Sequence, residues 1–351
     1  MDYTSNISLS WISSTHTSDA SLNSLLSVAT NASFISYSPT FTSLLGPAPQ
    51  FKLVAACPNQ SFAFEAGLWA SDRNEVWFTS SSTVYGNQTF VSVLSLQNNT
   101  VTTPRFDPPL KGVNGGYYFN KTVYFTTFGT DAGIISIDPH TLSWKTVLNS
   151  YYGLQLGFVD DIAWLKQEGE RVRLLQYHWQ RWGTLQPVIP QSDVQFPNGV
   201  RVNAEGTKLY VSDTTSPVLE AGLTKTTFWG SPSIYVYDLV PSTSSPSSPP
   251  KPVNKSQFSL VRTGFADGLH LDDSGRVWSA EGDGIWVRAS DGEVLGVFDA
   301  APLLAGETVE TGGDVAIANF ALAGDTLVVL AHSRICTLKL AETIVKGGNL
   351  S

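Results

Sequence analysis

The 351-residue chain carries a formal net charge of −9, with 15% of its residues charged and 42% hydrophobic. It has no Lys/Arg cluster to engage phosphates, which excludes a nucleic-acid partner, and no apolar run near the ~20 residues that cross a bilayer, which excludes a membrane span. With 29 Gly, 18 Phe, 12 Tyr and 10 Trp, the composition favours strands and tight turns, an all-β chain of a length that suits one large domain.

Residues 1–45 are Ser/Thr-rich and weakly patterned, and read as an N-terminal arm with room for one short helix over 21–28. They show no basic n-region and no apolar h-region, so a cytoplasmic location is expected. Seven N-x-Ser/Thr sequons, at Asn6, Asn31, Asn59, Asn87, Asn98, Asn120 and Asn254, hint instead at a secretory ancestor. Residues 46–351 form the second unit. Phe51 to Cys57 reads as a strand and Arg334 to Leu340 as the last strand of the chain. Pairing of the two would close a circular fold and bring Cys57 near Cys336; two cysteines in a chain of this size are read as reduced.

Between these strands one phrase recurs: an acidic or amide residue, a short β-rich run, a turn, and a second β-rich run. Glu65-Ala66-Gly67-Leu68-Trp69 leads to Val76-Trp77-Phe78-Thr79, and Asn114-Gly115-Gly116-Tyr117 to Val123-Tyr124-Phe125-Thr126. Asp160-Asp161-Ile162-Ala163 leads less clearly to Val172-Arg173-Leu174-Leu175, and Asn198-Gly199-Val200-Arg201 to Leu209-Tyr210-Val211-Ser212. Asp267-Gly268-Leu269-His270 and Asn319-Phe320-Ala321-Leu322 complete the series. A period of this size with several short strands per unit predicts a six-bladed β-propeller. The first strand of every blade lines the central channel, so Glu65, Asn114, Asp160, Asn198, Asp267 and Asn319 are expected to form a ring. Six oxygen-bearing side chains around one axis suit a hard cation such as Ca2+. Turn formation alone also uses Asn, Asp and Gly, but does not require one offset before a hydrophobic run six times.

The interval from Asp160 to Asn198 is the shortest and predicts a trimmed third blade. The interval from Asn198 to Asp267 is the longest. It contains a long connection over 214–231 and a Pro/Ser-rich segment, 241–256, expected to be an exposed loop. Several chemistries are absent: there is no Gly-x-Ser-x-Gly elbow, no Walker loop, no His-Glu-x-x-His and no dinucleotide fingerprint after a strand. The five His are scattered, and two Cys do not make a zinc site. His270, on an inner strand, suits a packed hydrogen-bonded role as well as a functional one.

The phrases Glu65-Ala66-Gly67-Leu68-Trp69, Phe196-Pro197-Asn198-Gly199-Val200, Leu209-Tyr210-Val211-Ser212-Asp213, Asp267-Gly268-Leu269 and Gly282-Asp283-Gly284-Ile285 resemble the SMP-30/gluconolactonase family, nearest its fungal lactonohydrolase branch, from about residue 35 onward. The resemblance implies a six-bladed propeller with one divalent cation, usually calcium, in the channel. By motif its Glu, Asn and Asp ligands match Glu65, Asn198 and Asp267, and a second Asn is replaced by Asp160. It also implies lactone hydrolysis with Asp267 as general base, beside Asp160 and Glu65.

The chain departs from that pattern where Leu174 to Gly183, with Tyr177, His178, Trp179 and Trp182, stands in place of a polar hairpin. This suggests a pocket remodelled for a flat or apolar small molecule, with Asn114, Asp161 and Asn319 also contacting it. Two chemistries follow. The preferred one is a fungal secondary-metabolism cyclase that templates a hetero-Diels–Alder reaction between a quinone-methide-type diene and an alkene, as in tropolone–sesquiterpenoid pathways, by proximity and hydrogen bonding. The alternative is a Ca2+-dependent lactonase. A non-catalytic binding propeller is the third reading, and the oligomeric state is left open.

Overall fold

The computed structural model describes residues 18–21, 23–24, 32–81, 88–157, 159–167, 170–175, 178–181, 184–214, 216–219, 226–229, 232–241, 249–261, 263–307 and 316–347. Among them, five sheets have four strands, one has five, and two are two-stranded hairpins. Each larger sheet has one strand of the recurring phrase at its inner edge: Glu65–Ala70, Val113–Phe119, Ile162–Gln167, Pro197–Val202, Leu269–Leu271 and Asn319–Ala323. Every inner strand touches the next, and the last touches the first. The sheets therefore radiate from a closed ring of strands, which is a β-propeller. Hydrophobic side chains fill the space between neighbouring sheets.

The last sheet closes the circle as anticipated. Lys52–Ala56, from the N-terminal side, pairs antiparallel with Arg334–Lys339. Cys336 stands opposite Leu53 in that register, while the Cys57 amide donates to the Ser333 carbonyl at 2.8 Å, and both cysteines are free thiols.

Four expectations are corrected. Against six blades and a detached arm, five sheets are four-stranded blades and the remaining one is five-stranded, because Phe34–Ser36 pairs with its outer strand Val294–Asp299. The helix that follows, Pro39–Leu45, buries Phe41, Leu44 and Leu45 in the largest hydrophobic cluster. Ser38 caps it, its side chain accepting from the Thr40 amide at 3.2 Å, and Pro39 opens its first turn. A boundary at residue 45 thus cuts through the folded body; the helix expected over 21–28 falls largely outside the described residues. The third sheet is not trimmed: Ile162–Gln167, Glu170–Leu175, His178–Arg181 and Thr184–Pro187 make four strands. Its short interval is absorbed by two-residue connections. Finally, the Pro/Ser-rich segment is a loop only in part. Pro249 and Pro250 are buried, and Lys251–Leu260 is the outermost strand of the fourth sheet. Pro is tolerated there because an edge strand has one side with no ladder to donate to. The long connection over 214–231 contains a small hairpin, Ser216–Leu219 with Thr226–Trp229.

Candidate functional site: a ring of acids and amides at the channel mouth

The recurring residue stands at the start of each inner strand. Glu65 and Asn319 are first in theirs, Asn114 and Asn198 second, and Asp160 and Asp267 lie two residues ahead of theirs. In three of the strands the pairing register shifts just past that position, between Glu65 and Leu68, Val113 and Gly116, and Pro197 and Val200. Such an irregularity re-aims a side chain that a regular strand would point at a neighbouring sheet. It also explains the glycines of the phrase. Ala66 and Gly67 both adopt positive φ, 75° and 71°, and a Cβ on Gly67 would lie 2.1 Å from the Phe320 carbonyl oxygen of the adjacent inner strand.

The ring residues are joined by hydrogen bonds. Asn114 donates its side-chain amide to Asp160 Oδ1. Asn319 Nδ2 donates to Glu65 Oε2 at 3.0 Å, and Asn319 Oδ1 accepts from the Phe320 amide at 2.9 Å. His270 Nε2 lies 3.1 Å from the same Oδ1, which places the imidazole proton on Nε2. Both amide atoms of Asn319 are therefore engaged, and it orients Glu65 where substrate contact was expected. Asp161 is engaged as well. Its Oδ2 is 2.5 Å from Arg201 Nη1 and accepts from the Val200 amide at 3.1 Å, while Oδ1 accepts from the Ile162 amide at 2.8 Å. Arg201 lies over the Tyr117 ring at 5.4 Å. Sequence reasoning missed Arg201 and Tyr117, although each lies three residues after a ring residue, Asn198 and Asn114.

Charge crowding defines the site. Burial raises Glu65 to about 7, aided by the charge of Asp161 and opposed by the bond from Asn319. Burial together with the neighbouring carboxylates holds Asp160 and Asp267 well above the carboxylate range. Asp161 is also raised by burial, though Arg201 and two backbone amides draw it back down. His270 is depressed to about 3, by burial first and then by the charge of Arg201, so it is neutral at physiological pH. The charge of Glu65 raises Asp267, whereas Asp267 draws Glu65 back down. Asn198 draws Asp267 partly back down.

No protein-family model matches the chain. Among curated proteins it is 22% identical to the lactonohydrolase oryL of Aspergillus oryzae, over 76% of this chain and 67% of that protein. It is 24% identical to a gluconolactonase of Zymomonas mobilis, over 51% of this chain and 52% of that one, so it spans about half of that relative's length. Among solved structures, a gluconolactonase from Xanthomonas campestris superposes with a TM-score of 0.65 at 16% identity, covering 88% of this chain and 94% of that one. Regucalcin from Agrobacterium tumefaciens, described as a calcium-binding protein, gives 0.55 at 15% identity, covering 86% and 97%. This chain is a distant relative of the gluconolactonase-type propellers.

The regucalcin neighbour is described as calcium-binding, and the donor chemistry of the ring in this chain suits a divalent cation. The charge of Glu65 raises both Asp160 and Asp267, Asp160 raises Asp267 further, and the nearby Arg201 is committed to Asp161. An all-oxygen, acid-rich set of this kind suits a hard cation. Among the described residues no three His, Cys, Asp or Glu side chains stand together as ligands of one ion. Asp160 is held by the bond from Asn114 and Glu65 by the bond from Asn319, and the fourth donor, Asn198, is an amide.

The aromatic hairpin on which the cyclase reading rested is not brought to the ring by anything described. His178 and Trp179 belong to the third strand of their sheet, two strands out from the channel, paired with Leu175 and Leu174; their side chains, like Tyr177 and Trp182, lie outside the described residues. The curated relatives bear lactone-hydrolase names and lend the cycloaddition reading no support. No helix among the described residues is long and apolar enough to cross a membrane.

Proposed function

We propose that this protein is a lactone hydrolase: a β-propeller that works at the mouth of its channel with a divalent cation, calcium, held by Glu65, Asp160, Asn198 and Asp267. The observation that carries the reading is the trio of acids at the starts of the inner strands, with Glu65 raised chiefly by burial and Asp160 and Asp267 raised by burial and by neighbouring carboxylates, in a chain related to a lactonohydrolase and a gluconolactonase. A bound cation supplies Lewis-acid polarisation of the lactone carbonyl and offsets the charge of the three acids.

The chain's own residues do the rest. Asp267, as carboxylate, removes a proton from the attacking water, whose oxygen bonds to the acyl carbon. The ring C–O bond then breaks, and the proton passes from Asp267 to the departing alkoxide, giving a hydroxy acid. Asn319, fixed through His270 and the Phe320 amide, holds Glu65 in place. The Asp161–Arg201 pair, below the ring, keeps the guanidinium away from the catalytic carboxylates.

The test is a panel of lactones, followed by proton release, with and without chelator. Hydrolysis is expected to need the cation. Asp267→Asn is expected to lower kcat by about 10²–10⁴-fold, the usual range for a general base. Chelator-insensitive hydrolysis, or a fully active Asp267→Asn variant, overturns the proposal.

A further inference from the structure

A cavity of about 1010 Å³ lies between the first and second sheets. Its position follows from strand direction. The ring marks the starts of the inner strands, and strands in each sheet alternate in direction. Residues 88–91 lead into the third strand of the first sheet, and 103–106 follow its fourth. Residues 109–112 lead into the inner strand of the second sheet, and 128–130 follow its second strand. All four segments line the cavity, and all four lie at the ring's end of the molecule. One wall joins the ring directly: Thr89 Oγ1 accepts from the Val113 amide at 2.7 Å, and Val113 precedes Asn114.

The lining combines two chemistries. Phe90, Phe106, Leu110 and Phe128 supply an apolar wall, and Phe90 keeps 45% of its surface exposed. Arg105 and Lys111 also line the cavity. Both are exposed, and neither has a hydrogen-bond or ion-pair partner among the described residues. In a chain of net charge −9, two uncommitted cations on one apolar wall make a local field opposite to that of the acid ring next to it. A polyol would gain little from phenylalanine walls, and a neutral hydrocarbon would gain nothing from the cations. An apolar molecule bearing a carboxylate uses both.

We infer that this cavity binds the apolar body of a carboxylate-bearing substrate, with Arg105 and Lys111 holding the carboxylate and the lactone ring reaching the channel mouth. The assignment of the occupant as a lactone rests on the function proposed above; the binding site itself does not. The anionic end would thereby be held away from Glu65, Asp160 and Asp267, which would otherwise repel it.

Two arms of one experiment separate the claims. In the binding arm, dodecanoate and its neutral analogue dodecanol are titrated calorimetrically into the full chain, at several salt concentrations and with chelator present. Dodecanoate is expected to bind more tightly, by roughly tenfold at low salt, as for two partly exposed charge contacts, and the preference should shrink as salt rises. Arg105→Ala/Lys111→Ala should erase the preference, and Phe90→Ser should weaken both ligands. In the kinetic arm, an alkyl lactone with a terminal carboxyl is compared with the same lactone lacking it. The double variant should raise KM for the first alone and leave kcat unchanged. Equal binding of dodecanoate and dodecanol, or a preference that survives the double variant, overturns the inference even if lactones are opened. Selective binding without any lactone hydrolysis leaves the cavity assigned and sinks the hydrolase reading instead.

Discussion

Glu65 shows how a single side chain sets the chemistry of the ring. It is 7% exposed, accepts from Asn319, and is raised from 4.5 to about 7, chiefly by burial. An acid whose folded pKa exceeds its unfolded value binds more protons in the folded state between the two. Its contribution to stability is therefore present below about pH 4.5 and is lost as pH rises through about 7. In chelator, the protein should lose stability across that window, with Glu65 contributing on the order of 3 kcal/mol. Glu65→Gln keeps an acceptor for Asn319 and cannot ionise, so its denaturant midpoint should fall less between pH 5 and 8. A Glu65→Gln profile parallel to the parent's would show that Glu65 is not the group titrating. The ring residues themselves were legible because one offset recurs along the chain. The second tier was not. Arg201 sits in Asn198-Gly199-Val200-Arg201-Val202, where an alternating strand would point it to solvent, and only the fold shows it buried against Asp161 and Tyr117.

At the scale of the element, the inner strands are held at a separation that admits no methyl group. A Cβ on Gly199 would lie 2.6 Å from the carbonyl oxygen of Asp267, just ahead of the neighbouring inner strand, and 2.7 Å from the Cβ of Leu269, the first residue on it. Gly199→Ala should therefore push the fourth and fifth sheets apart and destabilise by about 1–3 kcal/mol, as overpacking does. It should also lower lactone turnover beyond the loss of folded protein, because Asn198 and Asp267 flank the contact; thermal melts beside kcat, corrected for folded fraction, check this. An unshifted melting temperature would mean that the strands have room to yield. Elements that are continuous apolar, β-rich runs, such as Glu75–Thr79 and Thr326–Ala331, could be read from sequence. Phe34–Ser36 and Pro39–Leu45 could not, since their Ser/Thr-rich composition hides them. Their burial is tertiary: Phe41 packs where a side chain on Gly296 would stand and lies 5.0 Å from the Phe298 ring. Lys251–Leu260 was obscured in the same way by its prolines.

For the whole molecule, circular closure is the feature on which the channel depends. The sixth inner strand contacts the first, and the outer edge of the same sheet is supplied by Lys52–Ala56 from the other end of the fold. This was readable in outline, from two β-rich runs at opposite ends of the recurring pattern. Deleting residues 1–56 should leave the last sheet with three strands and abolish the sharp thermal transition seen by circular dichroism. A truncated chain that melts as cooperatively as the full one would show that closure contributes little.

The same pairing sets an order of events during synthesis. Lys52–Ala56 leaves the ribosome well before its partner Arg334–Lys339, because nearly all strands of the other five large sheets lie between them in sequence. While the segments between them are made, the early strand carries an unsatisfied edge, with Leu53 on it still 56% exposed in the finished protein. An unpaired edge of this kind recruits other chains, and contacts this distant in sequence form slowly. The nascent protein is thus most exposed to aggregation, and most dependent on chaperones, in the interval just before its final sheet is complete.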